Sequence, residues 1–196
     1  MTERLKQFCK RTADLTEEDL ALIDVYFKPV KLRKKSFLIR AGEIYSVIGF
    51  VSEGVIRHFH YKDGEEKTCG LSLENMFFTD FNSFYSQSPT GTNSHAIEDS
   101  VVLTITRPDL LAFYQRCPRF ETVGRMVAEK AAQSAAERAA SLISETPEER
   151  YLTLMAQNQN LFRRIPQKYI ADLLGISPES LSRIRKRILT PTKFLT

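Results

Sequence analysis

Two periodicities of hydrophobic and polar positions divide this chain of 196 residues. Between Val30 and Thr106, short runs rich in β-branched and aromatic residues alternate with turn signals about every ten residues, which is typical of an antiparallel sandwich or barrel. From Phe120 onward, apolar residues recur instead at helical spacing. The pattern therefore predicts an α+β protein with an N-terminal β domain and a C-terminal helical domain.

The β-rich part follows one predicted helix. Thr16 begins a capping signal, and the helix should continue through Val25 and stop before Pro29. The predicted strands cover residues 36–40, 47–51, 55–61, 67–73, 76–78 and 101–106. The polar segment 86–93 is predicted to be a loop between strands.

A long alanine-rich helix is predicted from about Phe120 to Ser144, after a short helix from Leu110 to Gln115. Alanine has the highest helix propensity, and its small side chain permits close approach of a second helix. The apolar positions of the long helix include Val123, Val127, Ala131, Ala135, Ala139, Leu142 and Ile143. This row predicts a dimerisation helix. The alternative is a helix that packs only on its own β domain.

The C-terminal domain is predicted to begin at Thr146, where Pro147 and Glu149 complete a helix start with a capping box. This places the domain boundary between Glu145 and Thr146. Residues 1–145 then form the first domain with its long helix, and residues 146–196 form the second domain.

Residues 165–188 carry the most informative pattern of the chain. Apolar positions recur at helical spacing in two short segments, with Ile170, Leu173 and Leu174 in the first and Leu181, Ile184 and Ile188 in the second. Between them, Gly175 suits a left-handed position that ends a helix. Ser177 and Pro178 suit the N-cap and first position of the next helix. The segment therefore predicts a helix-turn-helix.

The polar face of the second helix indicates a nucleic acid as the ligand. Arg183 suits bidentate contacts to guanine, and Glu179 can accept a hydrogen bond from the amino group of cytosine. The residues predicted to contact DNA are Gln167, Lys168, Ser177, Pro178, Glu179, Ser180, Ser182, Arg183, Lys186 and Arg187. The alternative is an ordinary solvated helix, in which Glu179 and Arg183 form an i, i+4 pair.

The distribution of charge supports a polyanionic partner for this end of the chain. Residues 161–196 contain eight Lys/Arg and two Asp/Glu, a balance of +6, although the formal net charge of the whole chain is +4. The other 160 residues contain twenty Lys/Arg and twenty-two Asp/Glu, a balance of −2. Such asymmetry is typical of a chain with one nucleic-acid-binding end.

Composition disfavours several other classes of protein. The N-terminus lacks the apolar segment of a signal peptide, and no stretch approaches the ~20 apolar residues of a membrane span, so a cytoplasmic location without membrane contact is predicted. Cys9, Cys69 and Cys117 have no metal-binding spacing and indicate a reducing compartment. No nucleophile–base pair, phosphate-binding loop or paired carboxylates stand out, so we expect neither enzymatic activity nor a cofactor.

This order of β domain, long helix and helix-turn-helix resembles the Crp–Fnr family of bacterial transcription regulators. The segments KKSFLIRAGE and GFVSEGVIRHFHYKDGEEKT resemble the first half of a β-roll of the cyclic-nucleotide-binding type. AIEDSVVLTITRPDL resembles its last strand and the start of the following helix, and SETPEERYLTLM resembles the hinge and first helix of the DNA-binding domain. Glu179 and Arg183 fall where the family places base-reading residues, whereas Pro178 stands where relatives often have another reading Arg.

The resemblance implies a jelly-roll type of β-roll and a homodimer formed through residues 120–144. It also implies RNA polymerase and an unidentified small-molecule effector as partners, besides double-stranded DNA. Relatives usually have a β-hairpin wing after the recognition helix, but residues 189–196 are too few for one. We therefore expect a helix-turn-helix domain that lacks a full wing.

The chain departs from its relatives at the nucleotide site. Relatives that bind cyclic nucleotides hold the ribose with a Gly-Glu pair and the phosphate with an Arg-Ser pair, and these positions fall here near Thr79-Asp80 and Thr90-Gly91. Residues 86–95 contain no Arg or Lys, although a desolvated phosphate needs a cationic or multiply donating partner. We therefore expect no binding of cyclic AMP in the relatives' manner, with Arg57 as the residue that could compensate.

Aromatic residues near the expected cavity favour either an apolar effector pocket or a part of the core. The predicted lining of such a pocket is Phe78, Asp80, Phe81, Ser83, Thr90, Gly91 and Thr92. His58 and His60 alternate on one face of a strand, where they could bind a metal or be ordinary polar side chains. No nearby Cys or third His completes a ligand set, so no metal is predicted.

Two function hypotheses follow from these observations. The first is a dimeric, sequence-specific DNA-binding transcription regulator whose effector domain lacks the usual phosphate-binding Arg. The second is a small-molecule sensor whose helical C-terminal domain serves protein–protein contacts. Binding to DNA discriminates between them.

Overall fold

The computed structural model describes residues 1–158 and 160–189. They fold into two compact units. The first comprises residues 1–66 and 70–133, and the second comprises residues 67–69 and the chain from Ser134 onward. The last turns of the long helix therefore group with the C-terminal helices. The boundary between Glu145 and Thr146 stays a prediction about domains.

The described residues form eight strands and nine helices. The strands are β1 (Lys28–Leu32), β2 (Phe37–Ile39), β3 (Val47–Glu53), β4 (Ile56–Lys62), β5 (Glu65–Ser72), β6 (Phe77–Phe78), β7 (Asn93–Ala96) and β8 (Ser100–Thr106). The helices are α1 (Glu3–Thr12), α2 (Glu17–Tyr26), α3 (Phe81–Ser86), α4 (Arg107–Arg116), α5 (Phe120–Ser144), α6 (Pro147–Gln157), α7 (Leu161–Arg164), α8 (Gln167–Leu174) and α9 (Pro178–Leu189).

The strands form two four-stranded sheets with the orders β1-β8-β3-β6 and β2-β7-β4-β5. β8 pairs with β1 and β3, and β7 pairs with β2 and β4, in each case antiparallel. In these registers Phe50 lies opposite Leu103, and His58 lies opposite Ser94. The predicted α+β class with an antiparallel β domain is confirmed at this level.

Side chains at successive positions of β3 enter two different cores. Phe50 packs with Leu103 and with residues of α1, α2 and α4. The next residue, Val51, packs with Val102 and with Ile56 of the second sheet. Because side chains alternate across a strand, the central strand β3 is buried on both faces. Each fully buried Phe or Val contributes roughly 2 kcal/mol to stability.

The bounds of α5 agree with the sequence prediction of about 120–144. Its first turn is anchored in the core, where Phe120 stacks on Phe113 with ring centroids 4.0 Å apart. Val123 is also buried in this core. Beyond Val127, most side chains of the helix are exposed. The first turn of α5 is therefore packed into the core, whereas the rest of the helix is mostly exposed in the single chain.

The helix start at Thr146 also agrees with the prediction. The Thr146 backbone N–H donates to Glu149 Oε2 at 2.7 Å, and the Glu149 N–H donates to Thr146 Oγ1 at 3.3 Å. This reciprocal capping box satisfies two backbone donors that a helix end leaves unpaired. The buried residues of the C-terminal helices are Tyr151, Leu161, Ile165, Ile170, Ala171, Leu174, Leu181 and Ile184.

The structure differs from the sequence prediction around the segment 86–93. This segment was predicted to be a loop, but α3 ends inside it and β7 begins at its last residue, Asn93. Asp80 starts α3, because its carboxylate Oδ1 accepts the Ser83 N–H at 3.2 Å. The polar strand β7 exists because it pairs with β2 and β4 on its two sides, which overrides its weak strand propensity. The prediction about the wing lies outside the described residues.

Candidate functional site

The turn between α8 and α9 has the glycine helix end and the serine N-cap that the sequence predicted. Gly175 ends α8 in the left-handed region with φ 69°, and the Ile176 N–H donates to the Ala171 carbonyl at 3.0 Å. Ser177 then caps α9, with its Oγ accepting the Ser180 N–H at 3.2 Å. Only three residues therefore separate the two helices, and Pro178 opens the second.

Helix α9 has one buried and one exposed face. Leu181 and Ile184 are buried, as are Ile170 and Leu174 on α8. The residues predicted to contact DNA lie outside this core. Nine of them are exposed, namely Gln167, Lys168, Ser177, Pro178, Glu179, Ser182, Arg183, Lys186 and Arg187, and Ser180 is half-buried. The structure therefore brings the charged residues of α9 to solvent on a helix held by its apolar face.

Few side-chain interactions hold the charged groups of this exposed face. Arg183 Nη2 donates to Ser180 Oγ at 3.2 Å. The pKa of Glu179 lies below its usual value because its own backbone N–H and the Ser177 hydroxyl bond the carboxylate. Arg187 is different, since it forms an ion pair with Glu148 on α6. Arg183 and Lys186 thus remain accessible to a ligand, whereas Arg187 already has an anionic neighbour.

The second candidate site is the segment from Asp80 to Thr92, called here the cassette. Several of its polar side chains bond to other groups of the protein. Asp80 Oδ2 accepts the Thr90 hydroxyl at 2.6 Å. The Ser83 hydroxyl donates to the Ser88 carbonyl at 2.5 Å and accepts the Tyr45 N–H at 2.8 Å. Ser83 and Thr90 are buried. The carboxylate of Asp80 and the hydroxyls of Ser83 and Thr90 therefore already have protein partners.

Backbone donors of the cassette are also engaged. The Thr90 N–H donates to the Glu43 carbonyl at 2.8 Å, and the Thr92 N–H donates to Thr90 Oγ1 at 3.0 Å. Pro89 has no N–H. Backbone N–H groups are the usual substitute when a phosphate site lacks a cation. Here, two of the donors nearest Thr90 already have protein acceptors.

Comparison with known proteins identifies the fold of residues 29–117. Residues 29–117 match the family model described as a cyclic nucleotide-binding domain. These residues have the fold of a cyclic nucleotide-binding domain. Comparison with curated proteins gives no significant match.

Solved structures extend the similarity beyond this domain. A CooA mutant from Carboxydothermus hydrogenoformans has 15% sequence identity and a TM-score of 0.67, covering 86% of this chain and 78% of that chain. CLP from Xanthomonas campestris, described as a c-di-GMP responsive global regulator, has 13% identity and a TM-score of 0.68, covering 88% and 91%. FixK2 from Bradyrhizobium japonicum has 19% identity and a TM-score of 0.66, covering 83% and 84%. At these identities the likeness concerns the fold, and these neighbours are regulators of the Crp/Fnr family.

The aromatic residues near the cassette do not form one cluster within the cyclic nucleotide-binding fold. Phe77 packs against Phe8 and Phe50, with ring centroids 5.4 and 4.9 Å away. Phe78 and Phe84 belong to two different cores. Phe81 and Tyr85 are exposed and stack on each other at 6.3 Å. Of the predicted pocket lining, Phe78, Ser83 and Thr90 are buried, Asp80 and Thr92 are half-buried, and Phe81 and Gly91 are exposed.

His58 lies inside this domain, where its two ring nitrogens are 2.8 Å from Ser94 Oγ and 2.9 Å from Ser72 Oγ. Ser94 Oγ is also 3.0 Å from the Tyr45 hydroxyl. Burial lowers the pKa of the His58 imidazole to about 4, with a smaller contribution from His95. The neutral His58 is therefore part of a satisfied polar network.

The other candidate residues of the domain have protein partners too. His60 Nδ1 lies 3.0 Å from the Gly91 carbonyl. Arg57, the residue that could have compensated for the missing phosphate partner, is buried with its guanidinium 2.5 Å from Glu66 Oε2 and 4.3 Å from the Phe59 ring centre. Within residues 1–158 and 160–189, no three His, Cys, Asp or Glu side chains are placed to hold a metal ion.

Sequence reasoning did not identify the partners of His58 or the role of Arg150. Ser72, Ser94 and Tyr45 come from three separate segments of the chain, and their meeting depends on strand register. Arg150 follows the capping box by one residue, where an exposed Arg is ordinary in a sequence. In the structure it contacts the ends of two helices. Among the described helices, none is long and apolar enough to cross a membrane.

Proposed function

We propose that this protein is a homodimeric transcription regulator that reads a specific DNA sequence with α9. The observation that carries the proposal is the exposed polar face of α9, opposite its buried Leu181 and Ile184. An Arg that is held on a rigid helix and open to solvent suits bidentate contact with guanine in the major groove. Arg183 is the proposed base-reading residue, with Glu179 beside it.

The basic residues around this face supply the electrostatic part of the proposal. Lys168, Lys186 and Arg187 are exposed in the same helix pair. They belong to the segment 161–196 whose charge balance is +6, with eight Lys/Arg and two Asp/Glu. Such residues bind phosphates and position the protein without reading bases. The proposed role of α9 thus combines positioning by the basic residues with reading by Arg183 and Glu179.

Exposure along α5 supports the proposed dimer. Residues at spacings of four, three, four and three positions are apolar and exposed in the single chain, namely Ala128, Ala132, Ala135, Ala139 and Leu142. This is the heptad spacing of a two-stranded coiled coil. Ile143 beside the row is 88% exposed. Burial of this row against the same row of a second copy would remove the exposed apolar surface from water.

We propose that the cyclic nucleotide-binding domain of this chain does not take cyclic AMP in the manner of nucleotide-binding relatives. A cyclic phosphate is a permanent anion, and a desolvated anion needs charged or multiple donors. The cassette offers the Asp80 carboxylate, which already accepts the Thr90 hydroxyl. Arg57 is buried and forms an ion pair with the partly exposed Glu66. A different small molecule and RNA polymerase are the remaining proposed partners.

The DNA proposal is tested by selection from a random duplex library with the purified full chain. We expect enrichment of one motif with two related half-sites, because a symmetric dimer binds two of them. Sedimentation of the free protein should give twice the mass of one chain. Failure to enrich any sequence at low salt would favour the alternative, a sensor whose C-terminal helices contact proteins.

The cyclic AMP proposal is tested by titration calorimetry of the same protein with cyclic AMP and cyclic GMP. We expect no binding heat at micromolar concentrations of protein. A tight isotherm with one site per chain would show that the cassette opens and that the electrostatic argument is wrong.

A further inference from the structure

One arginine connects the end of α5 to the end of α8. Arg150 lies half-buried on α6. Its Nε and Nη2 donate to the Leu174 carbonyl at 3.1 and 2.8 Å. Its Nη1 donates to the Glu145 carbonyl at 2.5 Å and approaches the Ser141 carbonyl at 3.4 Å. Leu174 is the last residue of α8, and the other two carbonyls lie at the C-terminal end of α5.

The chemistry of helix ends explains why an arginine suits this place. The last carbonyls of a helix have no intrahelical donor and carry the negative end of its dipole. The guanidinium presents its donors in a fixed planar fork, so one side chain can bond two helix ends at once. A lysine ammonium is a point charge on a flexible stem and does not reproduce this geometry.

A second contact lies at the same junction. Leu142, in the last turn of α5, places its Cδ2 3.4 Å from the position that a Cβ on Gly175 would occupy. Gly175 ends α8, and α9 starts three residues later at Pro178. The Arg150 guanidinium therefore bonds the ends of both helices, and the Leu142 side chain lies close to the turn. Together they determine where α9 begins with respect to the last turn of α5.

We propose that Arg150 is a positioning residue that sets the separation of the two α9 helices in the dimer. The inference rests on the proposed function, in which α5 forms the dimer seam and α9 reads the half-sites. Half-site spacing on DNA mirrors the separation of the two recognition helices. A residue that fixes α9 to the end of α5 therefore controls spacing, while base recognition within one half-site depends on the surface of α9.

The test compares three duplexes derived from the motif selected with the wild-type protein. The first keeps the selected spacing, the second changes the spacer by two base pairs, and the third contains a single half-site. Arg150→Met removes the donors and keeps the length of the side chain. Arg150→Lys restores the charge alone. Arg163→Met is the matched control, because Arg163 is exposed in the same unit and its loss changes the charge equally.

We expect the wild type to prefer the selected spacing by ~10-fold or more, since each 1.4 kcal/mol corresponds to tenfold in affinity. In Arg150→Met this preference should fall to ~3-fold or less, while affinity for the single half-site stays within ~2-fold. Arg150→Lys should be intermediate, and Arg163→Met should keep the preference of the wild type. Circular dichroism checks that each variant is folded.

Three results would overturn the inference. The first is an unchanged spacing preference in Arg150→Met. The second is a parallel loss of affinity for the single half-site, which would mean that Arg150 supports α9 itself and not its separation from the partner helix. The third is the same loss in Arg163→Met. If the wild type selected no DNA, the proposed function itself would be wrong. If the wild type selected DNA and one of the three results above were found, only the role of Arg150 would be wrong.

Discussion

The cassette and the α8–α9 pair use polar side chains in opposite ways. In the cassette, Asp80, Ser83 and Thr90 bond to neighbouring protein groups. On α9, Arg183 and Lys186 are exposed on a helix whose other face is buried. Polar groups that satisfy one another stabilise a single conformation, whereas groups left to solvent are available to a ligand. The comparison supports the proposal that a charged ligand binds at α9 and not in the cassette.

The largest effect is expected at His58, in its polar network with Ser72 and Ser94. The pKa of His58 is lowered to about 4 in the folded protein, whereas an unfolded His has a pKa near 6.5. Below pH 6.5, His58 therefore binds a proton in the unfolded chain but stays neutral in the folded protein. The free energy of unfolding falls as the pH is lowered, until the pH reaches about 4. Across that window His58 removes roughly 3 kcal/mol from the free energy of unfolding.

Urea unfolding at several pH values checks this expectation. Between pH 7 and pH 4, the free energy of unfolding of His58→Gln should fall by roughly 3 kcal/mol less than that of the wild type. His60→Gln is the control, since His60 is exposed. An identical pH dependence in His58→Gln and the wild type would mean that the network around Ser72 and Ser94 does not exclude the proton.

The next largest effect is expected on DNA affinity, from substitutions on the exposed polar face of α9. Arg183→Ala should weaken binding to the selected duplex by about 1–3 kcal/mol and relax the base preference at one position of each half-site. Lys186→Ala should instead weaken binding to all duplexes similarly, because a phosphate contact carries no sequence information. Fluorescence anisotropy with selected and scrambled duplexes separates the two. Equal behaviour of both variants would contradict the assignment of Arg183 as a reader.

The turn that joins the two helices gives a smaller effect. Gly175 has φ 69°, a region in which a Cβ is strained by roughly 1–2 kcal/mol. Gly175→Ala should therefore lower the free energy of unfolding by about 1 kcal/mol. Gly175→Asn should lose less, because Asn tolerates this conformation better. Urea unfolding of both variants checks the order, and a stability of Gly175→Ala equal to the wild type would contradict it.

The smallest effect is expected at the ion pair between α9 and α6. Glu148 pairs with Arg187, and a solvent-exposed ion pair contributes little to stability. Glu148→Gln should release Arg187 to DNA and raise affinity for any duplex by ~2- to 5-fold at low salt. The same titration at high salt should show a smaller gain. A loss of affinity in this variant would mean that Glu148 orients Arg187 for DNA.

Local sequence signals predicted the elements better than the contacts between them. The bounds of α5, the capping box at Thr146 and the break at Gly175 each depend on neighbouring residues, and the sequence predicted all three. The strand β7 was missed because its polar sequence forms a strand through pairing with β2 and β4. Local pattern carries no information about such partners.

The same distinction holds for the candidate sites. Exposure of Arg183 follows from its place beside the apolar positions of α9, so the sequence could predict it. The separation of Phe77, Phe78 and Phe81 into three environments depends on tertiary packing and could not be predicted. The contacts of Arg150 with two helix ends likewise require the position of α8 relative to α6.

Specific DNA binding by α9 is tested by measuring affinity against salt concentration for the selected duplex and a scrambled duplex. We predict that the logarithm of the binding constant falls linearly with the logarithm of salt for both, because basic residues displace counterions. The selected duplex should bind ~1,000-fold tighter at physiological salt. Equal affinity for both duplexes, or no binding of either at low salt, would show that α9 does not bind DNA specifically.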